Sequence, residues 1–239
     1  MEPNLITALA LAGAAGATIP MGAALALWRV NILSDWAKSE LRHGVIAFGA
    51  GALLAAVALV LVPEGSARLQ PIPALAWFCA GSLFFAGVTV FLATRKGPGA
   101  QFMAMMMDYL PEAMALGALV TGHFETALLV AALIALQNLP EGFNAMREMT
   151  EHAPDRRKPN LLLLFCAMVP LGPLAAGIGM ALPAAYEPVL GAVMMLSAGG
   201  ILYLMFQDIA PQVRLEASWL PPFGAIAGFA LGLAGHLLI

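Results

Sequence analysis

Apolar residues along this chain gather in long runs, broken by short clusters of Gly, Pro and charge. This punctuation delimits eight apolar segments, near residues 4–28, 44–63, 73–94, 101–121, 124–146, 160–182, 187–210 and 219–239. Each is about twenty residues long, which is what an α-helix needs to cross the hydrocarbon core of a bilayer. No alternation of apolar and polar positions marks the strands of a barrel, and only helices satisfy every backbone group inside such runs. The pattern predicts an all-α polytopic membrane protein, a single transmembrane domain over 1–239 with eight helices and short loops.

Composition sharpens the exclusions. Hydrophobic residues make up 61% of the 239 positions and charged residues 10%, with a mean hydropathy of +0.87. Soluble domains carry about a quarter charged residues, so an ordinary globular enzyme is excluded. Lys+Arg 11 against Asp+Glu 14 leaves a net charge of −3, which excludes a disordered or nucleic-acid-binding chain. Met1-Glu2-Pro3-Asn4 has no basic stretch before the first apolar run, so a cleaved signal peptide is not expected. Cys79 and Cys166 lie inside apolar runs, where free thiols are expected to be buried and to pack as small hydrophobes.

The basic residues suggest an orientation. Arg29, Lys38 and Arg42 fall between segments one and two, and Arg95 and Lys96 between three and four. Arg147, Arg156, Arg157 and Lys158 follow segment five, and Arg214 follows segment seven. With eight spans all of these share one side, and Arg68 stands alone on the other. The positive-inside rule makes the rich side cytoplasmic and places both termini outside.

Against this background the polar residues inside the spans stand out, because an ionisable group in mid-membrane is costly and marks a functional site. Segment four contains Asp108-Tyr109-Leu110-Pro111-Glu112, and segment five contains Gln137-Asn138-Leu139-Pro140-Glu141-Gly142. Both place Pro three residues and Glu four residues after a polar residue. A spacing of four stacks Asp108 over Glu112, and Gln137 over Glu141, on one face of each helix. Each proline lacks an N–H and frees a carbonyl one turn back, that of Met107 or Leu136. Reflected about the intervening turn, Asp108 falls level with Glu141 and Glu112 with Gln137. Three carboxylates in one dry place repel unless they are protonated or neutralised. A divalent cation held by carboxylate and amide oxygens resolves that conflict; proton-carrying carboxylates or a hydrogen-bonded helix seam are the alternatives.

At these residues the chain resembles the ZIP (Zrt-, Irt-like) family of metal permeases, as a divergent, bacterial-type member. Gln137 to Gly142 is a close match to the family's metal-binding motif, and Asp108 to Ala113 is a degenerate one. Further matches are Phe48 to Ala56, Leu61-Val62-Pro63-Glu64, Ala198 to Tyr203 and Asp208-Ile209-Ala210-Pro211. The resemblance covers nearly the whole chain. It implies an eight-helix bundle in the inner (cell) membrane, with both ends outside. It also implies a transported divalent metal as substrate, no other cofactor, and no enzymatic activity.

The departures from the family pattern shape the expected site. Asp108 stands where the family has a histidine. The positions of a second family metal correspond to Tyr109, Asn138 and Val169, which retain little charge. One core metal is therefore expected, held by Asp108, Glu112, Gln137 and Glu141. An all-oxygen set tilts preference from zinc toward manganese or ferrous iron, although zinc also accepts carboxylates. The family's histidine-rich loop has shrunk to Lys96-Gly97-Pro98-Gly99-Ala100-Gln101, so metal capture by that loop is not expected.

Other residues carry weaker readings. Gln137, Glu141, Asn144 and Glu148 share one face of segment five, as an inward exit track or as a seam to a neighbouring helix. Asn138 is a lower-ranked ligand. Met105 shares the face of Asp108 and Glu112, as a thioether ligand or as core filler. Asp208 fits a release ligand or a solvent-facing aspartate, and Glu64 fits an entrance charge or a solvated helix end. His236 reads as a packing residue, whereas His43, His123 and His152 lie in or beside loops. Trp28, Trp77 and Trp219 suit an interfacial belt.

No Walker loop, nucleophile elbow or His-Glu-x-x-His occurs. The expected partners are a divalent cation and the lipid bilayer, without nucleic acid; a homodimer stays open. The expected function is divalent transition-metal transport toward the cytoplasm. A metal-binding sensor or non-transporting paralogue is the alternative, and a membrane-embedded hydrolase a more distant one.

Overall fold

The computed structural model describes residues 5–27, 35–94, 100–120, 122–151, 158–182, 186–213 and 218–238. Within these, the side chains of residues 35–39, 92–94, 100, 101, 104, 151, 158, 159, 208 and 212 lie outside the description. The described chain is almost entirely helical and contains no strand. Helix α1 is Leu5–Leu27. Helix α2 runs through Asp35–Ala56, a π-helical segment Val57–Leu61, and Val62–Ala67. Helices α3, α4 and α5 are Pro71–Thr94, Ala100–Leu119 and Phe124–Glu151. Helix α6 is broken into Lys158–Met168 and Leu171–Ala181. Helix α7 comprises Glu187–Leu204, a π-helical segment Met205–Ile209 and Ala210–Gln212, and α8 is Leu220–Leu238.

Seven of these rods are long and apolar enough to cross a membrane, so the chain has the character of a helical membrane protein. The side chains of α4 are described without interruption only over residues 105–119, too short a stretch to be counted among the seven.

Several boundaries differ from the apolar runs for a shared reason: helical hydrogen bonding does not require apolarity. Helix α2 begins at Asp35 instead of near 44, and α5 continues through the polar Arg147-Glu148-Met149-Thr150-Glu151. Helix α6 breaks at Val169-Pro170, where Pro170 and Pro173 remove two backbone donors within one turn. Pro111 and Pro140, by contrast, are carried inside continuous helices.

Helix α1 packs along α5 and the second half of α6, and α4 packs against α5 and that same half. Elsewhere α2 packs on α8 and α3 on α7. The group formed by α1, α4, α5 and α6 joins the rest chiefly through α2 with α5 and α4 with α7. Where α1 crosses α5, a Cβ on Gly22 would collide with the backbone of Leu139, and one on Gly142 with the carbonyl of Ile19. Close approach of backbones is how small residues hold membrane helices together. Ile19, Tyr109, Leu116, Leu133, Ile134, Phe165 and Met194 are fully buried in the shared core.

Large apolar side chains are exposed on the outer faces of the spans, among them Leu83, Phe84, Leu163, Phe223 and Leu237. Cys79 and Cys166, expected to be buried, belong to this exposed surface. An apolar run offers no periodicity from which to read which face turns toward lipid. His236, expected to pack, is also exposed, near the end of α8. Trp77 and Trp219 are exposed close to helix starts, and Trp28 lies outside the described residues.

Candidate cation site

Facing positions of α4 and α5 bring two of the four sequence-predicted oxygen-bearing side chains, Glu112 and Gln137, into contact. Gln137 donates from Nε2 to Oε2 of Glu112 at 2.5 Å, which sets these two residues level across the hairpin. Asp108 lies one turn before Glu112 on α4, and Glu141 one turn after Gln137 on α5. Of the two level pairs read from the sequence, that of Glu112 with Gln137 is seen in three dimensions. Glu112 is 1% exposed, Gln137 0% and Asp108 5%, deep among the helices.

Polar satisfaction at this cluster is incomplete. Oδ1 of Asp108 accepts the backbone N–H of Tyr109 at 2.8 Å. Glu112 Oε1, Gln137 Oε1, Asn138 Oδ1 and Glu141 Oε2 are buried without a hydrogen-bond partner. Among the described residues no salt bridge reaches any of the three carboxylates. Buried polar atoms are normally paired, and buried charges more so, hence protons or a cation must balance this cluster. Among the described residues no three His, Cys, Asp or Glu side chains are gathered tightly enough to hold a metal by themselves. A full shell needs the Gln137 amide oxygen, a backbone carbonyl or water in addition.

The residue after the first polar residue in each motif turns away from the carboxylates. Successive helical positions are rotated by about 100°, so Tyr109 and Asn138 face a different neighbour from Asp108 and Gln137. The Tyr109 hydroxyl donates to the carbonyls of Ala12 in α1 (3.5 Å) and Val169 at the break of α6 (3.4 Å). Its ring end lies against Gly16 and Gly172, where any Cβ would collide with the phenol oxygen. Asn138 donates from Nδ2 to the carbonyl of Ala15 at 3.4 Å. Tyr109, Asn138 and Val169, grouped in the sequence as remnants of a second site, thus form a seam to α1. Gly16 and Gly172 were not singled out from the sequence; only the short-residue pattern Gly13-Ala14-Ala15-Gly16 hints at close packing there.

The remaining candidates are more dispersed. Met105 is buried, at 2% exposure, one turn before Asp108. Asn144 and Glu148 are half-buried further along α5. Asp208 falls in the π-helical segment of α7, and its side chain is outside the described residues. Glu64 is bonded by Arg68 at 2.6 Å, and the same guanidinium lies 3.5 Å from Glu187 at the start of α7. The Glu64 charge is thus engaged in a link between α2 and α7. The side chains of Arg29, Lys38, Arg95, Lys96, His152, Arg156, Arg157, Lys158 and Arg214 lie outside the described residues.

Compared with protein-family models and with curated proteins, the chain matches none.

Proposed function

We propose that this protein is a permease for a divalent transition-metal cation, of the zinc, manganese or iron class, working toward the cytoplasm. The observation that carries the reading is the set of three buried oxygens without partners, on Glu112, Gln137 and Glu141, beside Asp108. Carboxylate and amide oxygens suit such ions, and mid-span acidic clusters mark ion pathways. The resemblance to the ZIP family supports the same reading, with both termini outside and the inner membrane as location. One core ion is proposed because Tyr109 and Asn138 direct their donors to α1 and α6. Alternating access then involves more than the α4–α5 hairpin, since α1 and the second half of α6 pack along it.

Proteoliposome uptake of manganese, iron, cobalt, zinc, cadmium, magnesium and calcium, with Glu141→Ala beside the wild type, tests this. Saturable flux abolished by the substitution supports the permease and identifies its ion. Metal binding without flux transfers the assignment to a sensor or non-transporting paralogue. Equal flux in the variant moves the site elsewhere.

A further inference from the structure

The orientation of the Gln137 amide is opposed to what a cation requires. Its N–H₂ end faces Glu112 at 2.5 Å, while Gln137 Oε1 and Glu112 Oε1 are both buried without partners. An amide N–H carries positive charge and has no lone pair, so it cannot coordinate a cation; only the oxygen can. The N–H₂ and carbonyl ends of a glutamine side chain are nearly the same size, and a half-turn about the terminal bond exchanges them within one envelope.

We propose that Gln137 is a two-position switch that trades its N–H for its oxygen when a divalent cation binds. In one setting, the one seen here, the N–H partners Glu112. In the other, Gln137 Oε1 and the released Glu112 oxygen both turn to the cation. The amide then supplies Glu112 with a partner whenever the cation has left, lessening repulsion among three carboxylates in a dry site and easing release. A carboxylate at position 137 has no N–H for this task and adds a fourth negative charge. The switch rests on the reading of the cluster as a cation site, and the two are separable by experiment.

The test is infrared difference spectroscopy on the purified protein, chelator-treated against loaded with Zn²⁺ or Mn²⁺, with glutamine labelled with ¹³C at Cδ. The expected result is a shift of the carboxylate stretches together with a shift of one labelled glutamine carbonyl, the latter absent in both Gln137→Met and Gln137→Glu. Gln137→Glu is also expected to bind the cation more tightly, by roughly tenfold, and to release it more slowly. Carboxylates that respond while every glutamine carbonyl stays fixed overturn the switch and leave the cation site standing. A glutamine shift that persists in Gln137→Met belongs to another residue and also overturns it. No response from carboxylate or amide removes the cation site and the switch together.

Discussion

Pro140 of α5 sits with its ring directly over Gly49 of α2, so that a Cβ on Gly49 would lie 2.6 Å from the proline Cγ. Pro140 belongs to the motif that carries Glu141, and α2 lies outside the group formed by α1, α4, α5 and α6. Gly49→Val forces this contact apart, at about 1–3 kcal/mol for an overpacked interface. The expected outcome is metal binding close to wild type with flux reduced several-fold, measured by titration in detergent beside vesicle uptake. Unchanged flux would show that the contact is static packing.

Asp108 supplies a hard oxygen where an imidazole would suit zinc better. Asp108→His is expected to raise the preference for zinc over manganese by roughly tenfold, read from competition uptake in one vesicle preparation. A preference that stays the same would place Asp108 outside the shell that contacts the ion.

Protons and a cation compete for the same carboxylate oxygens of Asp108, Glu112 and Glu141. Lowering the pH adds protons to the cation-free form, so binding and flux are both expected to weaken, by up to about tenfold per pH unit for each proton displaced. Equilibrium binding between pH 8 and pH 5, run beside uptake, checks the sign. Flux that rises on acidification with binding unchanged points instead to proton-driven uptake.

Tyr109 is fully buried, and its hydroxyl contacts are long, at 3.4 and 3.5 Å. Its contribution therefore lies in ring packing between Gly16 and Gly172 more than in hydrogen bonding. Tyr109→Phe is expected to cost under about 1 kcal/mol, and Tyr109→Ala about 3–5 kcal/mol. Thermal unfolding in detergent separates the two. A large loss in the phenylalanine variant would show that the hydroxyl, and not the ring, ties α4 to α1 and α6.

Much of this protein is determined by its sequence alone. Apolar runs of bilayer length leave the backbone no alternative to helices, and spacing within a helix is fixed by its pitch. The facing of Glu112 and Gln137 was legible for that reason: two short motifs at matching distances from a turn must face one another if the hairpin closes. The extent of α2 and α5 beyond their apolar runs was not legible, because a polar segment folds as helix whenever its backbone can continue bonding.

Only the tertiary structure decided the partners. A residue in a uniformly apolar run carries no mark of which helix it meets, so the exposure of Cys79 and Cys166 and the seat of Pro140 on Gly49 could not be read from the sequence. The same holds for the Tyr109 hydroxyl, whose carbonyl partners lie 97 and 60 residues away. The sequence places Gln137 level with Glu112, since pitch and turn position suffice for that. Which end of its amide faces the carboxylate depends on the surrounding donors and acceptors, and those come from chain segments brought together only by folding.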